Sequence, residues 1–208
     1  MRRAPLVFLT VCCRALRAIG SAPLYTALAV LPVACSGVAV ASEPRDPDEH
    51  FFTQTFGDLR EEAATARDQG KQGVLLFFEA DACPYCQHMR HKVFSMPAVQ
   101  DWYRERYLSI AIDIHGDVEL TDFDGISLPS KVFSDHRKVF LTPVVSFIDL
   151  DGNEIYRHLG MIRTPDEMLL LGQYIEGQHY YDTEYRVFAK QQGVAEQGVL
   201  ATPGEESE

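Results

Sequence analysis

Two cysteines, Cys83 and Cys86, follow almost directly on the continuous apolar run Val74–Phe78 and open a stretch with helical character. The apolar run is short and is flanked by Gly73 and Glu79, which predicts a strand buried on both faces. Pro84 fits the first turn of a helix, where no backbone N–H is needed. A Cys-x-x-Cys pair at a strand-to-helix junction sets the first sulfur at a helix N-terminus. Free N–H groups and the helix dipole stabilise a thiolate there. The thiolate is the nucleophile of disulfide exchange, so this position makes Cys83 the attacking residue. Cys86, one turn on and more buried, resolves the mixed disulfide. The pair would thus cycle between a dithiol and a Cys83–Cys86 disulfide.

Other chemistries for the pair fare worse. A c-type haem needs histidine directly after the second cysteine, and residue 87 is Gln. Zinc held by Cys83, Cys86, His88 and His91 fails on geometry. On a helix His88 points about 140° away from Cys83, and His91 lies about 12 Å along the axis, whereas structural zinc wants four convergent ligands. The plain alternative is an inert structural disulfide, but so close a pairing closes a very short loop and stabilises little.

The 208-residue chain has five cysteines, an odd number that cannot all pair within it. The other three, Cys12, Cys13 and Cys35, lie in a segment unlike the rest. Arg2, Arg3, Arg14 and Arg17 are the only charges before Glu43. Residues 1–41 read as a secretory signal, with Ala39-Val40-Ala41 as the small-residue cleavage site. Two readings compete. The uncharged run from Ala18 to Ser42 exceeds the ~20 residues that span a bilayer, as an uncleaved anchor would. Val33-Ala34-Cys35 could instead be a lipidation site, although Pro32 stands where Leu is wanted. Each outcome leaves the remainder outside the cytoplasm, with the positive charge inside. Cleavage would leave only Cys83 and Cys86. The chain carries 19 basic against 30 acidic residues, a net charge of −11, and the signal takes four of the arginines with it. No basic stripe exists for phosphate, so nucleic acid is excluded as a partner.

Residues 42–50 read as a charged linker. Phe52, Phe56, Leu59, Ala63 and Ala66 recur at helical spacing up to Gly70, which puts Phe51, Phe52 and Phe56 in the core. Pro97 interrupts the cysteine helix, and a further helical piece runs to about Arg106. Tyr107–Ile114 reads as a strand. An acidic loop and a short helix from Leu128 follow. Val144–Ile148 and Glu154–Leu159 form a hairpin about Asp151-Gly152. Thr164-Pro165-Asp166-Glu167 starts a helix that runs to about Glu176. A last helical piece covers Glu184–Gln191, and the acidic end beyond it looks frayed. This order makes an α/β fold, a central mixed sheet flanked by helices on both faces. The domain spans 51–180, with 181–208 a helical extension and disordered tail. Asp113, Asp117, Glu119, Asp122 and Asp124 crowd one loop but lack the spacing of a calcium loop.

The residues also resemble a known family. Leu75-Leu76-Phe77-Phe78 before Cys83-Pro84-Tyr85-Cys86, Asp117 with Thr121-Asp122-Phe123-Asp124-Gly125, Thr142-Pro143 before a strand and Asp149-Leu150-Asp151-Gly152 after it are similar to the thioredoxin superfamily. Within it the chain resembles the periplasmic SoxW-like thioredoxins of sulfur oxidation, over roughly residues 52–178. The resemblance implies a thioredoxin-like fold and a cis Pro143 packed beside the cysteines. It also implies that Thr142 offers its backbone to a substrate chain, an edge-strand mode of recognition. Pro84 and Tyr85 are expected beside Thr142 and Pro143 as substrate-binding residues, with Tyr85 either shaping the rim of the site or simply a partly exposed ring. It implies a periplasmic thiol–disulfide oxidoreductase without a cofactor or metal, acting on disulfide-containing proteins. A membrane electron donor of the DsbD/CcdA type would keep it reduced where thiols normally oxidise.

Some positions depart from the family. Ordinary cytoplasmic thioredoxins have Cys-Gly-Pro-Cys and a buried Asp six residues before the first cysteine, where this chain has Phe77. Glu79 and Asp81 are expected as solvated loop charges and His88 as an exposed residue of the cysteine helix. Two rivals stand beside the reductase: a DsbA-type oxidase or isomerase, and a non-catalytic binding or assembly factor on the same scaffold.

Overall fold

The computed structural model describes residues 43–193; the expected signal or anchor (1–41) and most of the acidic tail lie outside them. Strand β1 (Gly73–Glu79) is buried except at Glu79. It pairs in parallel with β2 (Tyr107–Asp113) and antiparallel with β5 (Val144–Asp149), which pairs in turn with β6 (Glu154–Leu159). The sheet order β2-β1-β5-β6 makes a four-stranded mixed sheet, as expected. Successive side chains of a strand point to opposite faces, and β1 is apolar on both. Val74, Leu76 and Phe78 meet Leu59, Ala63 and Ala66 of helix α2 (Leu59–Asp68) and Phe133 of α5 (Ser130–His136). On the other face Leu75 and Phe77 join a core with α3 (Pro84–Met89), α4 (Pro97–Arg106), α6 (Pro165–Glu176) and α7 (Tyr185–Gln191). Thr164 caps α6, accepting the N–H of Glu167 at 3.1 Å. Phe188 and Ala189 of α7 are buried in this core, which therefore continues past residue 180. Among the described residues, no helix is long and apolar enough to cross a membrane.

Several local expectations are corrected. Residues 43–50 are folded against the domain rather than linking to it: Pro47–His50 form the short helix α1, Pro47 is buried, and Arg45 forks onto Asp101 at 2.9 Å. The next helix begins at Leu59, not Phe52. Asp58 caps α2, accepting the N–H groups of Arg60 and Glu61, and Gly57 turns the chain into it at φ +94°. Phe51 and Phe52 are core residues, with Phe51 stacked on Phe94 at 4.5 Å. Phe56 is fully exposed, because residues 53–56 precede the helix and are not on its apolar face. The cysteine helix is interrupted before Pro97, which opens α4 as expected, but α3 first continues into a π-helical turn, Arg90–Phe94. The acidic loop contains a hairpin, β3 (Glu119–Thr121) with β4 (Ser127–Pro129), so Leu128 is in a strand and α5 starts at Ser130.

Candidate functional site

Four chain segments converge at one end of the sheet. β1 runs towards that end, and the chain turns back through Ala80, whose carbonyl accepts the N–H of Cys83 at 3.1 Å. Cys83 is the N-cap of α3, and its Sγ accepts the N–H of Cys86 at 3.1 Å. The two sulfurs are joined as a disulfide, with Cα atoms 5.2 Å apart. Cys83 is 8% exposed and Cys86 fully buried, so the first cysteine lies nearer the surface than the second. Pro84 and Tyr85 are both exposed beside them. Pro84 at the first helical position loses no hydrogen bond, which is why this dipeptide can stand at the surface without disturbing the helix.

Because β5 is antiparallel to β1, its first residues lie at the same end, Val144 opposite Phe78. Pro143 precedes them, and the Thr142–Pro143 bond is cis. The carbonyl of Pro143 accepts the N–H of Gly160 at 3.0 Å, tying the end of β6 into the same rim. Thr142 makes no backbone hydrogen bond among the described residues, so its main chain is available there. Phe140, Leu141 and Leu159 around it are exposed, as is Tyr85 across the cysteines. His158, opposite Val145, shares the cysteine face with Tyr185, its ring 5.6 Å away edge-on. Burial pushes its imidazole down to about 4, so it is uncharged at neutral pH.

The sequence profile of the thioredoxin-like domain family matches residues 59–176, more than half of the chain. The chain belongs to the thioredoxin-like domain family. No curated protein matches it. Among solved structures it is similar to a thioredoxin-fold protein from Helicobacter pylori (19% identity, TM-score 0.48, covering 60% of this chain and 86% of that one). It is also similar to a thioredoxin from Thermus thermophilus (24%, 0.45, 57% and 84%) and to the reduced DsbD C-terminal domain of Neisseria meningitidis (18%, 0.40, 54% and 89%). These distant likenesses add nothing beyond the family.

The thioredoxin-like domain differs from expectation in its charges. Glu79 is not a solvated loop charge. The strand continues one residue beyond the apolar run, with Glu79 in register with Asp113 and its carbonyl accepting Ile114 N–H at 2.9 Å. This turns the Glu79 side chain to the Phe77 face, where both of its oxygens meet Arg90, Nε to Oε2 at 2.7 Å. Glu79 holds the Arg90 guanidinium above its ordinary value by hydrogen bonding. Arg90 also donates to Asp48 of α1 at 2.8 Å and lies over the Phe52 ring at 4.8 Å. His88 is half-buried, not simply exposed; its Nε2 lies 2.9 Å from the carbonyl of Arg163. Asp81 is exposed, as expected. Sequence reading missed Arg90 altogether. Its signal was the position of a cation one helical turn beyond Cys86, four residues being the spacing that stacks side chains on a helix.

Proposed function

We propose that the protein is an exported thiol–disulfide oxidoreductase that reduces disulfides of periplasmic proteins, of the SoxW-like kind, in sulfur oxidation or cytochrome c maturation. The observation that carries this reading is a disulfide-bonded cysteine pair at a strand–helix junction, with Cys83 at the helix N-cap slightly exposed and Cys86 fully buried. A Cys83 thiolate attacks one sulfur of a substrate disulfide. A mixed disulfide forms, and the other substrate sulfur leaves as a thiolate. Cys86, after losing its proton, attacks the Cys83 sulfur and releases the second substrate thiolate. Two electrons pass to the substrate, the two protons of the dithiol are released, and the Cys83–Cys86 disulfide remains. A membrane donor of the DsbD/CcdA type then returns two electrons to the pair.

The surroundings support substrate docking. Among the described residues the main chain of Thr142 has no hydrogen-bond partner, and next to cis Pro143 it offers a strand-like contact to an extended peptide. Exposed Tyr85, Leu141 and Leu159 give that peptide apolar contacts. The test is trapping. The Cys86→Ser protein, recovered from its own compartment, should hold substrates on Cys83 as mixed disulfides, and the wild type should accelerate insulin reduction by dithiothreitol. Sulfur-carrier proteins among the captives identify sulfur oxidation, and apocytochromes identify cytochrome maturation. A wild-type protein that, starting oxidised, forms disulfides in reduced proteins but leaves insulin unreduced would turn the reading to a DsbA-type oxidase. No captives, together with insulin reduction at the background rate, would remove the catalytic reading.

A further inference from the structure

The charges around the cysteine pair are unevenly enclosed. Asp48 and Asp46 come from α1 and its cap, Asp81 from the loop before Cys83, His88 from α3, His91 from the π turn, and Arg163 from the segment leading into α6. Arg45 is paired with Asp101, and His158 on β6 is neutral. Of these charged groups, among the described residues, Glu79 and Arg90 are the most enclosed, each side chain 15% exposed. Glu79 ends β1 four residues before Cys83, and Arg90 stands one helical turn, about 6 Å along the axis, beyond Cys86. The burial of both limits screening of their charges by salt.

We propose that Glu79 and Arg90 are a charge-balancing positioning pair for the dithiol, in which Glu79 neutralises a buried cation that would otherwise over-stabilise the Cys83 thiolate. The inference rests on the reading that Cys83 and Cys86 cycle between dithiol and disulfide. The stability of the thiolate fixes the stability of the reduced form, and a strongly stabilised thiolate makes an oxidant. A helix N-terminus already favours that thiolate. An uncompensated guanidinium held one turn beyond Cys86 would push the site further in the oxidising direction. The fork of Arg90 onto both Glu79 oxygens, with Asp48 on the outer side, removes that push. It also fixes the cysteine helix to the end of β1 and to α1. The acid on the Phe77 face is thus bound to a cation of the cysteine helix, and its effect on the sulfurs comes through that cation.

The test compares single and paired neutral substitutions in the reduced full chain. The readouts are thiolate absorbance against pH and the redox equilibrium with glutathione. In Glu79→Gln the Cys83 thiol should titrate about half to one unit lower, and the equilibrium should shift about three- to tenfold towards reduced protein. Arg90→Gln should shift both in the opposite direction. Glu79→Gln/Arg90→Gln should return to within about 0.3 unit of the wild type. Asp48→Asn, on the exposed side, should follow Glu79→Gln with a smaller shift, and it carries the test if Arg90→Gln does not fold. A purely structural brace predicts shifts of one sign in both single variants; that result, or shifts under about 0.2 unit in both, overturns the proposal. No substrate enters these titrations. Opposite shifts in a chain that leaves insulin oxidised would keep the pair and defeat the reductase reading. Unshifted thiols in an active reductase would defeat the pair alone.

Discussion

The two ends of the sheet use carboxylates for different work. At the end away from the cysteines, two turns have the same pattern, Asp122-Phe123-Asp124-Gly125-Ile126 after β3 and Asp149-Leu150-Asp151-Gly152-Asn153 after β5. In each, the first aspartate accepts N–H groups two and four residues on through one oxygen, at 2.8–2.9 Å. In each, a glycine at φ +89° or +87° closes the hairpin. The two turns lie side by side, and both line one shallow groove. At the cysteine end the enclosed carboxylate, Glu79, caps no turn and instead pairs with a cation of the cysteine helix. At this end the side chains of Tyr85, Leu141 and Leu159 are exposed. Acidic residues thus build the hairpins at one end and neutralise charge at the other. The Thr-Asp-Phe-Asp-Gly stretch that contributed to the family resemblance is a hairpin device rather than part of the site.

That contrast breaks most easily on activity. Cys83→Ser should cost roughly a thousandfold or more in insulin reduction, since a serine hydroxyl cannot exchange disulfides. Asp122→Ala combined with Asp149→Ala should leave turnover within about twofold while lowering stability by about 1 kcal/mol per lost set of turn hydrogen bonds. Turnover lost in the double variant, at a temperature where it is fully folded, would mean that the far end takes part in function.

Acid should act on the cysteine end through His158. Its folded value of about 4 lies below the ordinary 6.5. Between those values the unfolded chain binds a proton that the folded chain does not. The histidine therefore costs nothing above pH 6.5, and its penalty grows as pH falls and is complete below about 4. By pH 4.5 it amounts to about 2–3 kcal/mol. Urea midpoints at pH 7 and 4.5 should show His158→Gln losing that much less stability on acidification than the wild type. Parallel losses in the two proteins would mean that the ring is not enclosed against Tyr185 of α7.

The two far-end turns, alike in their hydrogen bonds, differ in what surrounds their glycines. A Cβ at Gly152 would lie 2.5 Å from the Cβ of Phe123, whereas at Gly125 it would meet the end of the Arg60 side chain at 2.7 Å. Both positions carry the cost of a positive φ, but only Arg60 can swing clear. Gly152→Ala should therefore destabilise by about 2–3 kcal/mol and Gly125→Ala by about 1. Thermal melts of the two variants measure the difference, and equal losses would show that backbone strain alone decides.

Strand β1, the cysteine junction and the Thr164 cap were legible because each rests on a local pattern: an apolar run, a spacing or a capping residue. The mixed sheet followed from their order. Glu79 and Arg90 were not legible, because their meeting depends on a strand one residue longer than its apolar run and on a side chain brought in from the helix. The hairpin β3–β4 was hidden in an acidic loop whose crowded aspartates drew attention to calcium, although Asp122 and Gly125 were turn signals.

The start of the first long helix failed for a more specific reason, and the smallest predicted effect tests it. Phe52, Phe56 and Leu59 keep helical spacing, but the competing signal is Gly57-Asp58, a positive-φ turn and an N-cap with Glu61 three residues on. A cap satisfies helix N–H groups that spacing alone leaves open, so the cap wins. It leaves Phe56 outside any apolar face, and the phenyl ring is fully exposed. Phe56→Ser should therefore change stability by less than about 0.5 kcal/mol, against about 3–5 kcal/mol for Phe52→Ala in the core. Chemical denaturation of the two variants separates the cases. A large loss at Phe56 would place that ring in the core and restore the helix that its spacing suggested.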